Sequence, residues 1–143
     1  MTTATEAIVA RAHQVLLGAG IAGGQVWRDM PDRVDAAELP AVRVGRGGVD
    51  YQPFGAGVLR ATVGITITLQ VAGAGRETAL DALHGQLHAA LLADSTLSAL
   101  GKGLRPAGTD DPQDVAGDPA VAEMTVRYQI ETLVRQGSLA LLS

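Results

Sequence analysis

Two stretches of this chain alternate apolar and polar residues without a break. In the first, Leu59, Ala61, Val63, Ile65, Ile67, Leu69 and Val71 lie on one side, with Arg60, Thr62, Gly64, Thr66, Thr68 and Gln70 on the other. In the second, Ala122, Met124, Val126, Tyr128, Ile130, Thr132 and Val134 oppose Glu123, Thr125, Arg127, Gln129 and Glu131. Successive side chains leave a β-strand on opposite faces, so a period of two predicts strands. At ~3.3 Å per residue each would run ~40 Å, whereas strands of ~5–6 residues are usual. Strands of that length overhang the core of a small domain, and an overhang needs a partner. The pattern points first to a subunit of an assembly.

Other segments follow helical spacing. Thr3 or Thr5 can cap a helix over residues 4–17, with Ile8, Ala12, Val15 and Leu16 facing in and Glu6, Arg11 and Gln14 facing out. Gly18 and Gly20 end it. Leu80, Leu83, Leu87 and Leu91 form the stripe of a second helix over 76–93, and Asp94, Ser95 and Thr96 restart a short turn holding Leu97 and Leu100. Short strands are expected at 25–29, anchored by Val26 and Trp27, at 41–46 after Pro40, and at 101–105. Residues 30–39 read as irregular, 72–75 as a turn, and 137–143 as a short apolar tail. Two segments read as long mobile loops: 45–57, which is Gly-rich and holds Pro53, Tyr51 and Phe54, and 109–119, which is acidic and holds Pro112 and Pro119. Loops of this length are uncommon and often functional.

The resulting order is α-β-β-β-α-β-β in one domain over residues 1–143. The fold class is α/β (α+β): a single mixed or antiparallel sheet with long strands and two helices packed on one face. The other sheet face, rich in Thr and Gln and light in charge, is left available for a neighbour.

Composition narrows the function. The chain has 143 residues, 47% hydrophobic but only 3% aromatic, so its core is built from Val, Ile, Leu and Ala. It has no cysteine, which removes disulfides, thiolate metal sites and a cysteine nucleophile. A net charge of -4 is poorly suited to neutralising nucleic-acid phosphates. The first residues carry Glu6 and Arg11 inside their apolar pattern, unlike a signal peptide. No run reaches the ~18–20 apolar residues of a membrane span. A soluble product made in the cytoplasm is the expectation.

Candidate chemistry is sparse. Asp81, His84 and His88 share one side of the second helix and could converge on a metal. The alternative is that both histidines flank the leucine stripe as amphipathic rings at the core edge. No glutamate stands between them as a general base, so the zinc-protease motif is absent. Gly45, Arg46, Gly47 and Gly48 lack the Lys-Ser/Thr and following helix of a phosphate loop. Asp110, Asp111, Asp114 and Asp118 do not match the calcium-loop spacing; they read as a solvated acidic segment, or as a lining that repels DNA in a channel. None of the four serines lies in a nucleophile elbow. The expectation is no enzyme, no catalytic or metal residues and no cofactor. A small metal-dependent or ligand-binding protein using Asp81, His84 and His88 is the competing reading from another class. Arg43, Arg46 and Arg60 gather around the first loop, as strand-face solvation or as an intersubunit contact.

The segments EAIVARAHQVLL, LPAVRV, TVGITITLQV, ALDALHGQLHAALLADSTLSALG, GLRPAG and AEMTVRYQIET, in this order, resemble the tail terminator proteins of long-tailed bacteriophages, prophages and gene-transfer particles, also called tail completion or minor tail protein U-like. The resemblance covers nearly the whole chain and is one of layout. It implies a sheet with helices on one side and a homo-oligomeric ring, a hexamer, formed from subunits that can be monomeric before assembly. The ring would cap the tail tube at the head-tail junction of the virion, end tube polymerisation and join the head or neck. Implied partners are the tail tube protein, a neck or head-completion protein and the tape measure protein, with DNA only passing through the lumen. A neck or head-closure connector subunit is the alternative within the same particle. The residues expected at interfaces are Arg43, Arg46, Tyr51, Phe54 and Arg60, in and beside a loop that orders on binding, and Asp110, Asp111 and Asp114, facing the lumen or the head side.

Overall fold

The structure, a computed structural model, describes residues 2–28, 39–115 and 118–142, with the side chains of 118 and 119 left aside. Three helices, α1 (Ala4–Gly18), α2 (Arg76–Ala93) and α3 (Ser95–Ala99), accompany a six-stranded sheet. The strands are β1 (Val26–Trp27), β2 (Ala41–Gly55), β3 (Val58–Ala72), β4 (Lys102–Thr109), β5 (Gln113–Val115) and β6 (Asp118–Arg135). Their order is β1-β2-β3-β6-β4, with β5 also on β6. The sheet is mixed: β1 runs parallel to β2, and every other pair is antiparallel. This is the expected α+β architecture.

The two alternating runs lie side by side at the centre. β3 pairs with β6 from Val58 with Arg135 to Ala72 with Val121, without a bulge. The register puts Val63, Ile65, Ile67 and Leu69 beside Ile130, Tyr128, Val126 and Met124, all buried under the helices. α1 adds Ile8, Val9, Ala12 and Leu16, and α2 adds Leu80, Leu83, Leu87 and Leu91. Val15, expected to face in, is only partly buried, and Val9 takes its place. On the opposite face stand Thr62, Gly64, Thr66, Thr68 and Gln70. There the amide of Gln70 donates to Glu123 over 2.7 Å, and Thr68 and Gln70 are buried.

Helix ends follow local chemistry. Thr3 caps α1 by accepting from the Glu6 amide at 3.2 Å. Asp94 closes α2 and opens α3: its Oδ2 accepts from the Leu97 amide at 2.7 Å. The same carboxylate takes two bonds from Arg11, at 2.8 and 3.0 Å, tying α1 to the α2–α3 joint. The Arg11 hydrogen bond, then the Leu97 amide, hold its pKa below the usual carboxylate value. Asp94→Ala removes the cap that seats the buried Leu97 and is expected to cost about 1 kcal/mol, read as a lower urea midpoint. Asp94→Asn, which keeps a capping oxygen, should recover part of it.

Two sequence expectations are corrected. Residues 45–57 are not a mobile loop. β2 runs unbroken through them to Gly55, and a two-residue turn, Ala56 and Gly57, joins it to β3. Gly57 sits at φ +72, where glycine carries no steric penalty. Gly47 and Gly48 mark a register shift between Arg46 and Val49. A Cβ on Gly64 would come 2.8 Å from the Gly48 carbonyl oxygen, so the glycines permit two backbones to approach and do not loosen the chain. Of the expected second loop, the described residues 109–115 are not free of the sheet either. Thr109 closes β4, and β5 pairs Gln113 and Asp114 with Glu123 and Ala122 of β6.

The expected strand at 25–29 shrinks to Val26–Trp27; residue 29, like most of the irregular 30–39 and residues 116–117, lies outside the described residues. Among the described residues, β1 covers only Val42 and Arg43 of β2, and Val44 to Gly55 has a strand on one side alone.

Candidate assembly surface

The hairpin of β2 and β3 carries the exposed aromatics. Its register sets Val49, Tyr51 and Pro53 opposite Val63, Ala61 and Leu59, on the face that further along lies beneath the helices. Toward the tip that cover ends and Tyr51 is 40% exposed. Phe54, 53% exposed, lies on Arg60, whose guanidinium carbon is 5.2 Å from the ring centre, a cation–π contact.

The three arginines expected around this segment do not form one cluster. Arg43 donates to Thr68 at 3.4 Å on the face away from the helices. Arg46, opposite Ile65, faces the helix side, where its charge helps lower the pKa of Glu6 after the larger effect of Arg28. Only Arg60 stands with an aromatic.

The acidic residues occupy the other edge of the sheet. Asp110 takes two bonds from Arg127, both 2.9 Å, and that hydrogen bonding holds its carboxyl below the usual value. Asp114 lies 3.5 Å from Arg76. Asp111 is exposed. The segment is therefore partly neutralised and pinned to β6, which weakens it as a repelling lining.

The histidines of α2 belong to a different arrangement. His88 Nδ1 lies 2.9 Å from the Tyr128 hydroxyl and His84 Nε2 3.4 Å from it. Tyr128 is fully buried, and desolvation pushes its pKa from 10.0 up to about 12. Burial, and then the charge of His88, push His84 below 6.5, with Asp81 opposing. Both rings thus serve a core tyrosine. No group of three or more His, Cys, Asp or Glu side chains is placed to hold a metal among the described residues.

Sequence reasoning missed a groove of about 660 Å³ beside the hairpin. The segment after β6 folds back: Val134 bridges Leu141, and the Leu142 amide donates to Leu133 at 3.0 Å. This tail and the start of β4 flank β6 and leave a trough between them. Leu100, Leu133, Leu141 and Leu142 line it, with Phe54, Arg60, Lys102 and Glu131 contributing ring and charges. The apolar tail, Leu139, Leu141 and Leu142, was its sole sequence signal.

No family profile matches the chain, and the search of curated proteins found no match. Among solved structures, a chain described as "Virion of native gene transfer agent (GTA) particle" is similar over 87% of this protein and 91% of its own length, with a TM-score of 0.56 and 19% identity. The two chains share a fold. At that identity the likeness is one of architecture. No helix of the described residues is long and apolar enough to cross a membrane.

Proposed function

We propose that the protein is a structural, non-catalytic subunit of a phage-like particle, assembling as a ring that caps the tail tube and joins it to the head or neck. The observation that carries this reading is the β2 edge of the β2–β3 hairpin, which among the described residues has a strand on one side alone from Val44 to Gly55 and carries Tyr51 and Phe54 exposed toward its tip. Exposed aromatics along an unpaired strand edge are suited to a protein interface, where Tyr and Phe are enriched. The fold shared with a chain of a gene transfer agent virion supports the same reading. This edge would contact a neighbouring subunit or the tube without first having to order.

Mixing the purified protein with polymerising tail tube subunits tests this, by negative-stain electron microscopy with light scattering alongside. Rings, or tubes that stop growing with a cap at one end, are the expected result. A monomer that ignores tubes but binds a head-completion protein would make it a neck subunit instead. The double substitution Tyr51→Ser with Phe54→Ser should abolish capping at a stability cost of about 2 kcal/mol, because each ring is only about half covered and gives up about half of a full burial term.

A further inference from the structure

We propose that the groove between β4, β6 and the returning tail receives an extended segment of a partner protein that presents a large apolar side chain next to a carboxylate. This rests on the reading of the chain as an assembly subunit and adds what its second contact surface takes. The walls are Leu100, Leu133 and Leu142, and the rim leaves Leu142 40% and Phe54 53% exposed. Apolar rims of this kind gain from being covered. A volume of about 660 Å³ exceeds what one side chain fills and lies in the range of formed binding clefts.

Charge selects the occupant. Arg60 and Lys102 line the groove against the single anion Glu131, so the lining is net positive in a chain whose net charge is -4. Among the described residues neither cation forms an ion pair, whereas Arg11, Arg28, Arg76 and Arg127 do. Phe54 meanwhile holds the Arg60 guanidinium in place by stacking. A carboxylate entering here meets two available cations, and an ammonium meets two like charges. The floor is fixed in advance: Thr132 Oγ1 donates to the Leu100 carbonyl at 2.9 Å, locking the α3–β4 joint to β6.

The test is a methyl-NMR titration of the full chain with three capped probes, Ac-Leu-Phe-Asp-NH2, its Asn counterpart and its Lys counterpart. The aspartate peptide should shift the methyls of Leu100, Leu133 and Leu142 saturably. The asparagine peptide should bind about threefold more weakly, as loss of an exposed charge pair gives, and the lysine peptide more weakly still. Lys102→Gln, an exposed change that sets no second carboxylate opposite Glu131, should weaken the preference for aspartate. Equal binding of all three peptides, no saturable shift at millimolar peptide, or decanoate binding as well as the aspartate peptide would each overturn the proposal. Ring formation, followed separately by light scattering, reports on the assembly reading alone, so either can fail without the other.

Discussion

Gly101→Ala is expected to lower the stability of the protein by about 3 kcal/mol, at the upper end of what overpacking a fixed site costs. Gly101 lies between α3 and β4, where the chain turns down onto β6. A Cβ there would run into the carbonyl oxygen of Glu131 and come within 2.8 Å of Ile130 Cγ1. The obstacle is backbone of a central strand, which cannot swing aside as a side-chain end can. Relief requires β4 to lift from β6, which would disturb the bond from Thr132 to the Leu100 carbonyl and the wall of the groove. Gly85 provides the opposite case. It lies within α2 with nothing within 4 Å of its Cβ position. Gly85→Ala should therefore raise stability by about 0.5–1 kcal/mol, because alanine restricts the unfolded chain and favours helix. Urea midpoints of both variants, at unchanged slope, decide the matter. A neutral Gly101→Ala would mean that β4 is not held as closely as the structure has it.

Tyr128→Ala should cost about 3–5 kcal/mol, as removal of a fully buried aromatic does, a large part of the stability of a small domain. Tyr128→Phe separates packing from hydrogen bonding and should cost about 1–2 kcal/mol. The remainder shows in the pH dependence. One hydroxyl proton satisfies the site while one histidine accepts and the other donates. When His84 is protonated, its facing nitrogen can only donate and the hydroxyl loses one of its two possible acceptors. His84 is held below 6.5 in the folded protein, so in that window the unfolded chain binds more protons. Its stabilising contribution is complete above 6.5 and is lost as the pH falls. Tyr128 is raised from 10.0 to about 12, so its contribution is complete below 10.0 and is lost as the pH climbs toward 12. Tyr128→Phe should remove the alkaline loss and soften the acid one. Denaturation series in urea between pH 5 and pH 11 would show both; an unchanged alkaline limb would sink the assignment.

Much of the architecture can be read from the sequence because it rests on short-range periodicity. The leucines of α2 and the alternation of β3 and β6 each carry their own burial signal. The hairpin was misread because Gly47, Gly48 and Gly55 suggest looseness. The role of Gly47 is close approach to Gly64 and Thr66, residues of another strand, and it is Gly64 that makes room for the backbone of Gly48. The same segment does alternate at Val49, Asp50, Tyr51 and Gln52, a signal that the glycines obscured. Residues 109–115 were misread in the same way: acidic residues and Pro112 dominate locally, while pairing with β6 and Arg127 is set at a distance. Of the candidate surface residues, Phe54 and Arg60 meet, while Arg43 and Arg46 part to opposite faces. Beyond the apolar tail the groove had no sequence signal, since α3, β4, β6, the hairpin and the tail all contribute to it.

The seam between β3 and β6 also sets an order of events during synthesis. Its partners stand between 49 residues apart, at Ala72 and Val121, and 77 apart, at Val58 and Arg135. Closing such separations is slow compared with forming a hairpin. β2 and β3 are neighbours in the chain and can pair as soon as they leave the ribosome. β3 then keeps a 15-residue edge without a partner until α2, α3, β4 and β5 have been made and β6 follows. The nascent chain passes through a state with an open apolar strand at its centre, the kind of edge that recruits other chains. Yield of folded protein should therefore depend on how quickly the stretch from 73 to 117 is translated.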